Sequence, residues 1–83
     1  MNEDFVMYGR PDCLYCNKAK DSFNLMGLSF TYLDINETEN REALKLLLPN
    51  VNQIPQIFSG RKHIGGYDDL RVYLTKMVEN DIW

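Results

Sequence analysis

The sequence predicts an α/β fold whose elements run β-α-β-α-β-β-α, a four-stranded mixed sheet flanked by helices on both faces. Three observations predict it. An apolar run near the start, a stretch with apolar residues at helical spacing and a second alternating run make a β-α-β opening. A leucine-rich stripe ending at Pro49 supplies another helix, and two short runs around Ser59, Gly60 and Arg61 have the spacing of a hairpin. At 83 residues the chain is expected to form a single domain over 1–83, one that buries only about 60–65% of its unfolded surface around one small core.

Each element has its own signal. Asp4 to Tyr8 reads as a buried strand because it is apolar and stops at the breakers Gly9 and Pro11. From Leu14 to Met26, Ala19, Phe23 and Met26 recur at helical spacing, and Gly27 is a stop. Leu28 to Ile35 then alternates, with Phe30, Tyr32 and Asp34 on one face and Thr31, Leu33 and Ile35 on the other. Asn36, with Glu39 three residues later, reads as a helix cap before the stripe of Ala43, Leu44, Leu47 and Leu48. Ile54 to Phe58 and Lys62 to Ile64 form the hairpin, and a last helix after Gly65 and Gly66 packs Leu70, Tyr73, Leu74 and Met77.

Composition narrows the function classes. Apolar residues make up 45% and charged residues 25%, a globular composition, and the formal charge of -3 comes without any Lys/Arg-rich run, so no nucleic-acid partner is expected. The opening MNEDFVMYGR lacks a long apolar core, so neither a secretory leader nor a membrane span is expected, and the reducing cytoplasm is the expected location.

In that compartment the only two cysteines, Cys13 and Cys16, read as a reagent rather than a staple. Their disulfide would close a tiny loop, and stabilisation by a disulfide grows with loop length. Three apart at a helix start, they share a face. Cys13 falls at the first turn, where unpaired N–H groups and the helix dipole favour a thiolate, which marks it as nucleophile; Cys16, a turn deeper, is the resolving thiol. Arg10 adds a positive charge nearby, whereas Asp12 either opposes the thiolate or caps the helix. A structural zinc site wants four ligands, and with His63 the only histidine no metal is expected.

Two further segments bear on the site. Pro55 stands directly before a strand, which suits either a trans proline starting that strand or a cis bond that turns the Ile54 backbone outward to pair with an extended peptide. In IGGYDDL, Ile64 to Leu70, the paired glycines allow close backbone approach, and the helix start offers the N–H groups of Tyr67, Asp68 and Asp69 to a carboxylate. The bland alternative is a turn followed by aspartates that stabilise a helix terminus.

Together GRPDCLYCNKAK, QIPQIF and HIGGYDDL, in this order and in register from about Phe5 to Thr75, resemble the glutaredoxin family. The resemblance implies a thioredoxin-like fold, a cis Pro55, and reduction of protein disulfides and glutathione mixed disulfides with glutathione as co-substrate. It implies Cys13 as nucleophile and Cys16 as resolving cysteine, with glutathione held by Arg10, Tyr15, Gln53, Ile54, Pro55, Gly66, Tyr67, Asp68 and Asp69. Expected partners are glutathione and disulfide-containing proteins, a ribonucleotide reductase among them, acted on by a monomer. The chain departs from the family's common C-P-Y-C by having Leu14 in place of the proline, which leaves room for a glutathione-ligated iron–sulfur cluster as an alternative function. A redoxin reduced by thioredoxin reductase is the other.

Overall fold

The computed structural model describes residues 3–82. Met1, Asn2 and Trp83, part of the span expected to fold as one domain, lie outside the described residues. The elements follow the expected order: β1 (Phe5–Gly9), α1 (Leu14–Leu25), β2 (Phe30–Asp34), α2 (Thr38–Leu47), β3 (Gln56–Ser59), β4 (Lys62–Gly65) and α3 (Tyr67–Ile82). The sheet order is β2-β1-β3-β4. β1 runs parallel to β2, with Phe5 opposite Phe30 and Gly9 opposite Asp34, and antiparallel to β3, with Tyr8 opposite Gln56. β4 closes the hairpin with β3.

β1 takes a central place because both its faces are apolar. Phe5 and Met7 point to one side, where they meet Ala19 and Phe23 of α1, Ile57 of β3, and Leu70 and Leu74 of α3. Phe23 is the hub of this layer, with its ring 5.0 Å from Phe5 and 4.7 Å from Phe30. Its truncation to alanine would remove about 3–5 kcal/mol. On the other side Tyr8 and Phe58 pack edge to face under Leu44 of α2, joined by Val6, Leu33, Ile35, Ala43 and Leu48. Helices therefore cover both faces, α1 and α3 on one and α2 on the other.

The stop of α1 is built as the sequence suggests. Gly27 adopts φ +67, where a side chain is disfavoured, and this brings the N–H of Leu28 onto the carbonyl of Phe23 at 2.9 Å and its own N–H onto Asn24 at 3.1 Å. The start of α2 differs from expectation. Its cap position is Glu37, which makes no side-chain cap bond, rather than Asn36. The turn is held from the preceding strand: Asp34 Oδ1 accepts from the Asn36 N–H at 2.9 Å, and Asn40 Nδ2 donates to the Asp34 carbonyl at 3.0 Å. Two expected apolar positions are also exposed. Met26 lies just past the last turn of α1, and Leu47 is 54% exposed because the sheet offers α2 a line of contact narrower than its apolar stripe.

The Ile54–Pro55 bond is cis. Proline has no N–H to give the ladder, so β3 begins at Gln56 rather than at Ile54 and leaves the Ile54 backbone at the sheet's end, beside the start of α1.

Candidate active site

The loop between β1 and α1 tightens through the Cys13 N–H, which donates to the Arg10 carbonyl at 3.3 Å. This puts Cys13 itself at the cap position of α1, with extended backbone angles of φ -96 and ψ 120. Asp12, the other candidate cap, instead stands 3.8 Å from Arg10 Nε on the exposed side of the loop. Cys13 Sγ accepts a hydrogen bond from the Cys16 N–H at 3.2 Å, the role that a serine or aspartate oxygen commonly plays at a helix start. That bond strengthens when the sulfur is anionic. On its other side the thiol lies 3.9 Å from the Ile54 carbonyl.

Cys16 is fully buried, whereas Cys13 is partly open to solvent. Burial first, and then the Cys13 side chain, push the Cys16 thiol up to about 12, against a smaller opposite pull from the Arg10 backbone and the Lys20 charge. At neutral pH Cys16 is thus a protonated thiol behind an accessible one. Gly9 makes this burial possible: a Cβ there would sit 2.7 Å from Cys16 Sγ, so only glycine at the end of β1 lets α1 approach this closely.

A groove of about 440 Å³ opens beside Cys13. Its walls include Tyr15 from α1, Gln53, Ile54 and Pro55 before β3, and Gly66, Tyr67, Asp68 and Asp69 at the start of α3. The structure thus gathers in one groove eight of the residues that the sequence offered for a ligand. Tyr15 and Tyr67 face each other across it with ring centres 5.8 Å apart. Arg10 is not part of its lining. Asp68 is exposed on the groove. Asp69 turns back to accept from the Gly66 N–H at 3.1 Å, half of a capping box at the start of α3. The helix-terminus reading of the aspartates therefore holds for Asp69.

Sequence reasoning missed Val51, Gln56 and His63, which also line the groove. Gln56 is buried, and its Nε2 donates to the Gln53 carbonyl at 2.9 Å while its Oε1 pairs with His63 Nε2 at 2.8 Å. The amide orientation makes His63 Nε2 the donor, and the imidazole rests on the Phe58 ring at 5.0 Å. A chain of side-chain bonds thus steadies the turn that carries Ile54. No residue of α2 lines the groove. Among the described residues no group of three or more His, Cys, Asp or Glu is arranged to hold a metal ion. No described helix is long and apolar enough to cross a membrane.

A partly open thiol capping a helix, a buried thiol one turn on, and a cis proline beside them at the edge of a peptide-sized groove are the marks of a thiol–disulfide oxidoreductase of thioredoxin-like fold. The Glutaredoxin family model matches residues 5–64, and the chain belongs to the glutaredoxin family. Glutaredoxin 1 of Escherichia coli is 32% identical over 81 residues, covering 89% of this chain and 95% of that protein. The hybrid peroxiredoxin hyPrx5 of Haemophilus influenzae is 33% identical over 75 residues, 90% of this chain but only 31% of its own length. This chain therefore spans about a third of that relative. Among solved structures, glutaredoxin 1 from Francisella tularensis, complexed with cacodylate, superposes with a TM-score of 0.76 at 25% identity over 93% of this chain and 98% of the other. A buckwheat glutaredoxin–glutathione complex gives 0.75 at 24% identity, with coverage of 89% and 70%.

Proposed function

We propose that this protein reduces glutathione mixed disulfides and protein disulfides at the expense of glutathione, with Cys13 as nucleophile and Cys16 as resolving thiol. The observation that carries this reading is the seat of Cys13, capped by the Cys16 N–H at 3.2 Å and opening beside the groove at the Ile54 carbonyl. Glutathione lies in that groove as an extended peptide: its cysteinyl part runs along Ile54 and cis Pro55, flanked by Gln53 and the Tyr15 and Tyr67 rings. Its γ-glutamyl carboxylate meets the backbone at Gly66 and Tyr67, where helix N–H groups attract an anion, and its amine meets Asp68. Asp69 holds the start of α3 in place for both contacts, and Arg10 stands outside the groove to meet the glycyl end or the incoming protein.

The chemistry follows from the two sulfurs. Cys13 thiolate attacks the glutathione sulfur of a mixed disulfide; the substrate thiolate leaves with the bonding pair and takes up a proton, and glutathione stays on Cys13. A second glutathione thiolate then attacks that bond, giving oxidised glutathione and free Cys13. For a protein disulfide, Cys13 attacks one substrate sulfur and the other leaves as a thiolate; Cys16 then attacks Cys13, forming the Cys13–Cys16 disulfide and freeing the reduced substrate, and two glutathione thiols reduce that disulfide in turn, leaving as oxidised glutathione. Such substrates include proteins like ribonucleotide reductase. Two reactive thiols suit the reducing cytoplasm, and a monomer leaves the groove accessible.

The test is NADPH oxidation coupled through glutathione reductase, with glutathione, a small mixed disulfide and this protein. Cys13→Ser is expected to abolish turnover. Cys16→Ser is expected to retain it while losing reduction of protein disulfides. No turnover with glutathione, with activity restored by thioredoxin reductase, would overturn the choice of donor.

A further inference from the structure

Behind the two sulfurs lies a group that the reactions above leave unused. Tyr32 stands on β2, opposite Met7 of β1, on the face covered by α1 and α3. Its hydroxyl is buried, and among the described residues it is the one buried side-chain N or O atom left without any hydrogen-bond partner. Such orphans are uncommon, since leaving a buried hydroxyl unpaired costs on the order of 1–3 kcal/mol, and a native one asks for an explanation.

Its neighbours supply one. The Lys20 ammonium sits 3.7 Å from the centre of the Tyr32 ring, and Lys20 lies one helical turn beyond Cys16 on α1. A Cβ placed on Gly9 would fall 2.7 Å from Cys16 Sγ and 3.5 Å from Tyr32 Cε1, so the buried sulfur and the edge of the tyrosine ring both close over the bare Cα of Gly9. The charged and titratable groups around the ring are Asp34 on its own strand, Asp12 and Cys13 on the loop into α1, and Cys16 and Lys20 on α1. Burial and then Asp34 hold the phenol in its protonated form, pushed up to about 12. It is a donor without an acceptor, on a ring whose edge packs at Gly9 as does the one sulfur that must become an anion in the interior.

We infer that Tyr32 and Lys20 together support the thiolate of Cys16, the phenol O–H and the ammonium being arranged for the charge that develops when the resolving thiol ionises. This deepens the dithiol reading and rests on it. In the step concerned, Cys16 S–H loses its proton, which ends on the departing partner sulfur, and the thiolate attacks Cys13 Sγ. The Cys13–partner S–S bond breaks, and the partner sulfur leaves with the bonding pair and is protonated. The Cys13–Cys16 pair is oxidised by two electrons, and the partner is reduced by two. A donor and a cation near a fully buried sulfur lower the barrier by stabilising an anion that solvent does not reach. Both act through Cys16 and are positioning residues rather than attacking groups.

The test uses Tyr32→Phe, which removes only the oxygen, and Lys20→Met, which removes the charge and keeps the chain. In a Cys13→Ser background, the ionisation of Cys16 is followed through its 13C-labelled Cβ in the alkaline range. Loss of the hydroxyl is expected to raise the Cys16 pKa by about one unit, a tenfold smaller thiolate fraction at neutral pH. Because nucleophilicity rises with thiol pKa at a Brønsted slope of about 0.4–0.5, the attack itself then slows by about threefold. That rate is read separately, as acid-quenched release of glutathione from a preformed Cys13–glutathione disulfide, with Cys16→Ser as the zero. A Cys16 ionisation unchanged in both Tyr32→Phe and Lys20→Met overturns the inference, whatever the activity. Shifted ionisation with no mixed disulfide formed at Cys13 would uphold the support of Cys16 and sink the glutathione chemistry instead.

Discussion

Replacing Gly9 with alanine tests the close approach on which the buried thiol depends. The new Cβ would lie 2.7 Å from Cys16 Sγ and 3.3 Å from Cys16 Cβ, well inside ordinary contact distances of about 3.5–4.0 Å. The sulfur must therefore move by about 1 Å, and it hangs from the first turn of α1, which cannot retreat without carrying Cys13 with it. Overpacking of this kind costs about 1–3 kcal/mol. The alanine recovers about 0.4–1 kcal/mol by restricting the unfolded chain, since Gly9 is not among the positive-φ glycines. A net loss of about 1–2 kcal/mol is expected, which in a domain of this size lowers Tm by about 4–16 °C. The assay is urea unfolding under reducing conditions for the wild type, Gly9→Ala, Cys16→Ala and the double variant. Cys16→Ala removes the obstructing sulfur, so Gly9→Ala should be milder in that background, with a coupling of about 1 kcal/mol. A cycle that closes within about 0.5 kcal/mol would refute the contact as the cause.

Three other outcomes follow from the same geometry. Cys16 is pushed from 9.0 up to about 12, so between those values the native state keeps a proton that the unfolded chain gives up; stability should fall as pH rises through that window, by at most about 1.4 kcal/mol per unit, and Cys16→Ala should flatten the alkaline limb of a pH–stability curve. Asp69→Ala removes the acceptor for the Gly66 N–H and should destabilise the start of α3 by about 1 kcal/mol in urea unfolding, an effect that Asp68→Ala should not share. His63→Phe keeps a ring against Phe58 but deprives Gln56 Oε1 of its donor; a loss of about 1 kcal/mol and a raised KM for glutathione at nearly unchanged kcat are expected from steady-state kinetics.

Much of the architecture was legible because it is written in local pattern. Phe5 and Met7 alternate with Val6 and Tyr8, Ala19 and Phe23 repeat at helical spacing, and Gly27 stops α1 through a motif that only its own neighbours complete. The cap of α2 was misread because Asn36 and Glu39 have the right spacing, while Asp34 and Asn40 hold the same turn through bonds that spacing does not reveal. Leu47 was misread because periodicity gives the width of an apolar stripe and not the width of the surface it meets. At the site, Cys13, Cys16, Pro55 and the Gly66–Asp69 segment carry signals within a few residues. Gln56 and His63 read as ordinary hairpin residues until the β3–β4 pairing brings them together.

By itself the sequence determined the order of the elements, the helix on which the two thiols stand, and which of them comes first, since hydrophobic period and helix-start chemistry act over a turn or two. Only the tertiary structure decided how deep each thiol lies and what stands behind it. Gly9, Tyr32 and Lys20 come from three different elements, and none has a pattern that names Cys16 as its neighbour. Burial, and with it the readiness of Cys16 to ionise, is a property of packing across the sheet, and it comes into being only when α1 closes onto β1 and β2.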